Sequence, residues 1–482
     1  MQKSLSSLMI ALAFASATAP QAHAASNEDV VKRHFASLVA GPTPKTSELQ
    51  MFLTMMPKGG DLHHHYSGAI YAEQYLEWVD KQGFCVNKTD FRINTAAGAK
   101  SASCVSGKDL VADNAAYRAL LQKWSTADFY NHSSGKQLPP DQTFFDTFGY
   151  FNDVASTNGS EGLQTLKKRA IAENLSYIET IYEIAPITPD GDFDKLAAEG
   201  FDNARLNAAL EALVPKLEAS QAFQQGIQNY LAHLQKASAG VDDEQFTMRY
   251  QPFVLRFLPP SMVFSQMLAS FKLAKTSPQI VGVNIVGQES LNVSMRDYSL
   301  HMQMFKFLKA KYPDVKMALH AGELALGVVP PEGLKFHIQE AVNVAGANRI
   351  GHGIDIAHES NALAIMKTMR ERRIPVEVNL TSNEFILGVK GPAHPLDLYR
   401  KYGVPFVIST DDAGVTRHNL SNEYVLFATR YKTDYAEVKK LSYDSIRYSF
   451  LADADKKRLL QQLDSRFSKF EADIARALLP AK

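Results

Sequence analysis

The stretch KMALHAGE, residues 316–323, joins a short apolar run to two polar side chains at its end, His320 and Glu323. An apolar run of this length fits a buried strand, so the polar residues would stand where that strand ends. The same pattern recurs in RIGHG (349–353) and in VISTDD (407–412). Because parallel strands of a barrel bring their carboxyl ends to one face, the repetition predicts a site built at that face.

Apolar runs alternate with helix-like stretches from about residue 174 onward. We predict an early strand that ends near Leu62 and later strands at residues 175–182, 247–257, 280–286, 316–320, 349–353, 375–380 and 405–410. Segments between them have apolar residues at helical spacing, such as 302–311, 335–345 and 362–373. The alternation predicts an α/β fold, and eight such units in about 400 residues predict a (β/α)8 (TIM) barrel.

The first 24 residues have the features of a secretory signal peptide. Lys3 supplies a positive start, residues 5–19 are apolar and small, and AHA (22–24) is a small-x-small cleavage pattern. A buried N-terminal helix is the alternative interpretation. We expect cleavage after Ala24 and a secreted or periplasmic protein, with no membrane association once the signal is removed.

Two further segments do not follow the alternation of the barrel, which we assign to residues 53–482. Residues 25–52 predict an N-terminal helical extension, which would serve either a homodimer or docking on its own barrel. Residues 84–140 are too long and irregular for a barrel helix, so we interpret them as an inserted subdomain. The insertion contains Cys85 and Cys104, which we expect to form a disulfide in an oxidising compartment rather than stay free thiols.

The composition excludes two classes of protein. The 51 Lys and Arg residues balance 51 Asp and Glu, and 45% of the residues are hydrophobic. A disordered chain would have fewer apolar residues and more net charge. Binding to nucleic acid or an anionic membrane would need a basic excess that this chain lacks. We therefore expect no nucleic-acid partner.

Three histidines and one aspartate form a candidate metal site. Alternate residues of a strand face the same way, so His63 and His65 can both point into the barrel while His64 points away. With His320 and Asp411 they give a set of nitrogen and oxygen ligands that suits Zn²⁺. A bound metal ion could lower the pKa of water to about 7 and so supply a nucleophile near neutral pH.

Two more residues would complete the chemistry. Glu323 follows His320 closely enough to act as a proton donor over the same site, and His352 could act as a base or orient the water. Each feature alone is weak, since a single histidine is more often structural and Asp411 with Asp412 could cap a helix. Their occurrence at four predicted strand ends favours a site.

Taken in order, these motifs resemble those of the adenosine/AMP deaminase family. They are MPK (56–58), DLHHH (61–65), HAGE (320–323), RIGHG (349–353), TSN (381–383), HP (394–395) and STDD (409–412). The match extends from about Met56 to Tyr424, and the pair HAGE and TDD is highly specific. The signal peptide, the N-terminal extension and the cysteine-bearing insertion are similar to those of the secreted, growth-factor-type adenosine deaminases.

The resemblance implies an exported adenosine deaminase that binds one zinc ion per chain. It would convert adenosine or 2′-deoxyadenosine to inosine or 2′-deoxyinosine and ammonia, by hydrolysis at purine C6. The resemblance implies that zinc is bound by His63, His65, His320 and Asp411. Glu323 would protonate N1, and His352 and Asp411 would steer the attack on C6. Asp412 would contact N7, the Gly287 amide would contact N3, and Phe144 and Phe148 would form an apolar wall over the substrate. Ordinary core packing is an equal alternative for the two phenylalanines.

Two departures from the family pattern leave the substrate open. The family commonly has an aspartate at the position of Ser67, where it contacts the ribose, and the secreted branch often has one at the position of Tyr66. Ribose recognition must therefore differ. Adenine or another 6-aminopurine stays an alternative, and AMP is less expected because no Arg or Lys cluster accompanies the motifs.

Other classes of function compete with deamination. Another metal-dependent barrel hydrolase could act on amides or esters, but many of those bridge two metals through a carboxylated lysine, and residues 280–287 contain no lysine. The cytidine-deaminase fold needs a Pro-Cys-x-x-Cys ligand pair that is missing. An extracellular binding or growth-factor-like protein on a vestigial barrel would normally have lost a ligand or Glu323. The complete set of residues favours an active enzyme.

Overall fold

The computed structural model describes residues 26–96, 98–130, 137–200 and 202–479. The predicted signal peptide, residues 1–24, lies outside the described residues. The strands are β1 (Gly59–His65), β2 (Cys85–Asn87), β3 (Ile93–Asn94), β4 (Cys104–Val105), β5 (Leu175–Ile184), β6 (Thr247–Leu255), β7 (Asn284–Val286), β8 (Ala318–Ala321), β9 (Arg349–His352), β10 (Val376–Val378) and β11 (Phe406–Ile408).

The helices surround and extend these strands. They are α1 (Asn27–Val39), α2 (Thr46–Met55), α3 (Tyr66–Ala69), α4 (Ala72–Lys81), α5 (Gly107–Ala112), α6 (Asn114–Trp124), α7 (Pro140–Asp146), α8 (Phe148–Thr157), α9 (Gly159–Ala172), α10 (Gly191–Glu199), α11 (Asn203–Ala219), α12 (Gln221–Ala237), α13 (Pro260–Thr276), α14 (Asn292–Lys311), α15 (His337–Glu340), α16 (Ala362–Arg372), α17 (Leu380–Leu387), α18 (Leu396–Tyr402), α19 (Leu420–Arg430), α20 (Tyr435–Arg447) and α21 (Asp453–Ala477). None of the described helices is long and apolar enough to cross a membrane.

The parallel strands close into a barrel. One four-stranded sheet has the order β1-β5-β6-β7 and a second has the order β11-β10-β9-β8. Parallel bridges join the two sheets at both edges, between His64 and Asp411 and between Val283 and Met317. The prediction of an α/β barrel is confirmed, and the carboxyl ends of its eight strands meet at one face.

Several predicted boundaries differ from the structure. The first strand does not end near Leu62 but continues to His65, because His64 and His65 pair with Thr180 and Ile181 of β5. The strand predicted at 405–410 is shorter, since β11 ends at Ile408 before the chain turns into the site. The helix predicted at 302–311 begins earlier, at Asn292.

The N-terminal helices pack on the carboxyl-terminal part of the same chain. Helix α1 buries Val31, Phe35 and Leu38. The ring of Phe35 lies 5.5 Å from that of Phe52 on α2, and Phe52 lies 5.1 Å from Phe470 on α21. These contacts dock the two helices on their own barrel.

The chain between β1 and β5 carries a small antiparallel sheet, with β2 between β3 and β4. A disulfide joins Cys85 at the start of β2 to Cys104 at the start of β4. Trp124 at the end of α6 is buried, and its indole N–H donates to the carbonyl of Phe91 at 2.9 Å. Further along, α7 and α8 bring aromatic side chains over the barrel mouth.

Candidate active site

Four of the predicted ligands converge where the barrel closes. His63 and His65 lie on β1, His320 lies on β8 and Asp411 follows β11. The Nε2 atoms of His65 and His320 are 3.2 Å apart. Asp411 Oδ1 lies 3.2 Å from His65 Nε2 and 3.4 Å from His63 Nε2. Thus the side chains assigned to the metal from the sequence lie close together, and a ring nitrogen of His352 lies within 4.8 Å of the ligand atoms of His63, His320 and Asp411 as well.

Hydrogen bonds behind the cluster aim the imidazoles at this point. His63 Nδ1 lies 2.6 Å from Glu377 Oε2, and His320 Nδ1 lies 2.8 Å from Asn284 Oδ1. Because these oxygens accept, each Nδ1 carries a hydrogen, and each Nε2 is the atom that a bound metal ion would take as its ligand. The buried His63 Nε2 has no hydrogen-bond partner among the described atoms. Inward nitrogen lone pairs with one carboxylate are a donor set that fits a zinc ion.

The middle histidine of β1 faces the other way. His64 Nδ1 lies 3.0 Å from Thr180 Oγ1 of β5, and its ring lines a different cavity together with Arg169 and His418. Burial lowers the pKa of His64 to about 4, so the ring is neutral near pH 7. Alternation along β1 thus separates His64 from the cluster.

The cluster concentrates negative charge. Burial alone would raise the pKa of Asp411, but the close contact with His63 and the charge of that ring hold it well below the usual value. Burial alone would lower the pKa of His63, but Asp411 and Glu377 raise it to about 10. Because the neighbouring carboxylates favour a positive charge on the buried His63 ring, they would also stabilise a cation bound at the same position.

Glu323 is a nearby carboxyl group whose surroundings favour the protonated form. Its side chain is 8% exposed, and its backbone N–H donates to Glu289 Oε2 at 3.1 Å. Burial raises its pKa well above the usual value, and the charges of Asp411 and Glu289 raise it further. A neutral carboxylic acid therefore lies beside an ionised aspartate. One carboxyl group can donate a proton while the other carries negative charge.

Asp412 and His352 complete the polar side of the site. Burial, then the adjacent Asp411, raises the pKa of Asp412, and its Oδ1 has no partner among the described atoms. His352 Nε2 lies 3.8 Å from Asp411 Oδ2, and its Nδ1 lies 3.6 Å from Glu323 Oε1. Both His352 and Asp411 have a positive φ, +68° and +62°, which is uncommon outside glycine and clusters at functional sites.

A cavity of about 300 Å³ opens over these groups. Ser67, Gly287, Phe144 and Phe148 line it together with His65, His320, Glu323, His352, Asp411 and Asp412. The Phe144 and Phe148 rings are 5.7 Å apart, on the consecutive helices α7 and α8. The buried ring of Tyr66 points elsewhere, and its hydroxyl donates to the Ala155 carbonyl at 3.1 Å. None of the described residues that line the cavity is Lys or Arg.

Sequence reasoning missed the residues that support the site. Glu377 and Asn284 hold two of the imidazoles, and Glu289 accepts from the amides of Gly322 and Glu323. Each is a fully buried or nearly fully buried polar residue. The available signal was a charged or amide side chain inside or just after an apolar strand, as in VEV (376–378).

Comparison with known proteins agrees with this geometry. The fold and the site together define a TIM barrel with a cluster of histidine and aspartate side chains at its mouth. The sequence model described as "Adenosine deaminase" matches residues 213–466, more than half of the chain. The chain belongs to this family. The matched range contains HAGE (320–323) and STDD (409–412) but not β1, whose histidines join the site through the fold.

Individual relatives are similar over part of their sequence. An adenosine deaminase of Haemophilus ducreyi is 33% identical over 201 residues, which cover 42% of this chain and 53% of that protein. The chain thus spans about half the length of the curated relatives it matches. The crystal structure of an adenine deaminase from Arthrobacter aurescens has a TM-score of 0.55 at 16% identity, covering 85% of this chain and 98% of that one.

A zinc-bound structure has the same fold. It is an amidohydrolase from Burkholderia ambifaria with a TM-score of 0.53 at 16% identity, covering 89% of this chain and 94% of that one. That amidohydrolase structure contains bound zinc. At this level of identity, both structural matches speak for the barrel fold alone.

Proposed function

We propose that this chain is a zinc-dependent adenosine deaminase that hydrolyses the C6 amino group of a purine nucleoside. The observation that carries the proposal is the pair formed by the buried neutral Glu323 and the His/Asp cluster, both on the wall of one small cavity. Family membership and the names of the curated relatives support the same activity.

Glu323 would donate the first proton. Protonation of purine N1 weakens the aromaticity of the ring and makes C6 electrophilic, so the donor must be uncharged beforehand. Burial and the neighbouring carboxylates keep the proton on Glu323. The hydrogen bond from its amide to Glu289 holds the turn after β8 in place. General acid catalysis of this kind contributes about 10²–10⁴-fold to a rate.

His63, His65, His320 and Asp411 would hold the zinc ion. When bound there, zinc would supply Lewis-acid activation of water for attack at C6. Asp412, whose Oδ1 has no partner among the described atoms, would hold N7, and the Gly287 backbone in the lining of the same cavity would approach N3. Ser67 would face the sugar, and Phe144 and Phe148 would cover the base and exclude water.

The cavity favours an uncharged substrate. Its volume lies at the lower end of the ~300–1,000 Å³ range of ligand pockets. Phosphate recognition usually employs Arg, Lys or clustered N–H donors, and the described lining offers neither cation. Adenosine and 2′-deoxyadenosine therefore fit better than AMP. Adenine is the second candidate, because Ser67 replaces the ribose-binding aspartate of the family.

Export, a periplasmic or extracellular location and a homodimer stay proposals. The signal-like residues 1–24 and the Cys85–Cys104 disulfide support an oxidising compartment. A growth-factor-like binding role would be an addition to catalysis, since every predicted ligand and the acid are present.

A substrate panel tests the proposal. Purified protein is incubated in parallel with adenosine, 2′-deoxyadenosine, adenine and AMP, and deamination is followed by ultraviolet absorbance. We expect conversion of the two nucleosides with release of ammonia. Conversion of adenine alone would keep the chemistry and change the substrate. A protein that binds zinc but converts no purine would refute the proposal.

A further inference from the structure

Two sequence motifs have no role in the chemistry so far: TSN (381–383) and HP (394–395). The structure brings both beside His352. Asn383 lies on α17, and His394 lies just before α18. His352, Asn383 and His394 are 1%, 0% and 3% exposed, so water does not compete for their polar atoms. The three side chains form one line of hydrogen bonds that ends at the site.

The line of hydrogen bonds begins at a backbone amide group, whose N–H is always a donor. The backbone N–H of Leu396 lies 3.1 Å from His394 Nδ1, and a backbone N–H can only donate. His394 Nδ1 therefore accepts. Burial lowers the pKa of His394 to about 3, so the ring is neutral near pH 7. Its one ring hydrogen must then be on Nε2.

This hydrogen sets the orientation of the Asn383 amide. His394 Nε2 lies 3.3 Å from Asn383 Oδ1, so the oxygen accepts. The amide nitrogen is thereby turned to the other side, where Asn383 Nδ2 lies 3.0 Å from His352 Nδ1. An amide N–H₂ donates and cannot accept, so His352 Nδ1 must carry the lone pair.

A second amide lies beside the same ring nitrogen. Asn379 Nδ2 lies 3.4 Å from the same Nδ1 of His352. A hydrogen on this Nδ1, in the other tautomer or in the imidazolium, would face the N–H₂ donor of Asn383. The ring hydrogen of His352 is consequently on Nε2, which has no partner among the described atoms and faces Asp411 Oδ2 at 3.8 Å.

We infer that Asn383 and His394 are positioning residues that fix His352 as a hydrogen-bond donor at Nε2. The inference rests on the proposed function, and it decides between the two roles that the sequence leaves open for His352. With Nε2 already protonated, His352 orients the oxygen of the attacking water by donating to it. It does not take up a proton from that water through this atom.

The direct test is the tautomer of His352 in the native protein. The full chain with ¹⁵N-labelled histidine is studied by two-bond ¹H–¹⁵N correlation spectroscopy near pH 7. The His352 signals are those lost in His352→Gln. We expect a protonated Nε2 and an unprotonated Nδ1. A hydrogen on Nδ1, or on both nitrogens, would overturn the inference, whether or not the protein deaminates any purine.

A variant tests the dependence on Asn383. In Asn383→Asp the side chain can only accept, so the His352 hydrogen should move to Nδ1. We expect kcat to fall by about 10²–10⁴-fold with unchanged zinc content and little change in KM. Asn361→Asp adds the same charge at an exposed position and should leave the tautomer and kcat unchanged.

The outcomes separate the inference from the proposed function. An unchanged tautomer and an unchanged kcat in Asn383→Asp would contradict the positioning role. If that variant fails to fold, Asn383→Ala removes the donor without adding a charge and should give a mixture of His352 tautomers. Absence of deamination in the native protein, with the expected tautomer present, would refute the proposed function alone.

Discussion

At the scale of single residues, two nearby carboxyl groups are held in opposite protonation states. Asp411 lies against His63 and is ionised, and Glu323 is buried, has no cationic partner at its carboxyl among the described residues, and stays neutral. The difference comes from their surroundings, since both are buried acids. Proton donation therefore depends on Glu323 itself, and the negative charge at the ligand cluster depends on Asp411.

Replacing the acid should separate catalysis from metal binding. In Glu323→Gln we expect kcat to fall by at least about 10²–10⁴-fold, because the amide cannot donate a proton to N1. Zinc content should not change, since Glu323 is not among the proposed ligands. Glu332→Gln, at an exposed position, is the matched control. His320→Ala should lose both zinc and activity. Full turnover by Glu323→Gln would remove the proposed proton donor.

The sequence predicted the reactive residues better than their supports. His320, Glu323 and Asp411 stand out because polar groups follow apolar runs. Asn284 and Glu377 escaped because one buried polar residue in a strand has many explanations, and their partners are 36 and 314 positions away. Contacts over such separations follow from barrel closure, which no local pattern specifies.

At the scale of elements, strands that are not paired with each other must come close enough across the barrel to bring their ligands together. A Cβ added to Gly351 on β9 would lie 2.8 Å from Cε1 and 3.1 Å from Nδ1 of His63 on β1. Real Cβ atoms rarely come so close to other atoms, and the neighbouring ring is held by Glu377. Gly351 is thus the residue of β9 that leaves space for a ligand from another strand.

Filling that space should weaken the metal site. In Gly351→Ala we expect the dissociation constant for zinc to rise by about 10–100-fold, the usual effect of disturbing the groups that orient a ligand. Competition with a chromogenic chelator measures it. Gly327→Ala adds the same methyl group where no atom lies within 4 Å and should bind zinc like the native protein. Equal zinc affinity in both variants would contradict the proposed packing constraint.

The sequence predicted the number and order of barrel strands, but their ends were less accurate. β11 stops at Ile408 because Asp411 adopts a left-handed backbone conformation at the site. β1 continues to His65 because β5 supplies pairing partners as far as Ile181. In both cases the tertiary structure determines where the strand ends.

At the scale of the whole molecule, a buried charge network ties the strands together below the site. Arg349 on β9 donates to Glu377 on β10 and to Glu179 on β5, and its guanidinium lies 3.6 Å from the Phe450 ring. Gln251 also donates to Glu179, at 2.7 Å. The carboxylate that orients His63 is therefore held by a cation in the barrel interior.

Removal of this cation should destabilise the entire barrel. In Arg349→Met, Glu179 and Glu377 lose a partner in a buried environment, which typically costs about 3–5 kcal/mol. We expect the free energy of unfolding, from denaturant titration, to fall by this amount. Arg372→Met, an exposed change at the end of α16, should have little effect. A loss no larger than that of the control would show that the network contributes no net stability.

Lowering the pH should destabilise the folded protein, because Glu289 then becomes protonated. Burial alone would raise its pKa, but Arg256 and His337 lower it to about 2, from an ordinary value of 4.5. A lowered pKa stabilises the fold above pH 4.5, and this contribution of about 3 kcal/mol disappears as the pH falls towards 2. Between pH 5 and 2 the native protein should therefore lose more stability than Glu289→Gln. Identical losses would contradict the assignment.

The most direct test of the central claim is a zinc titration of deamination. Protein freed of metal by a chelator receives increasing zinc, and conversion of adenosine and 2′-deoxyadenosine is followed at each step. We predict no conversion without metal and a rate that rises to a plateau at one zinc ion per chain. Full activity of the metal-free protein, or no nucleoside conversion at any zinc level, would contradict a zinc-dependent deaminase.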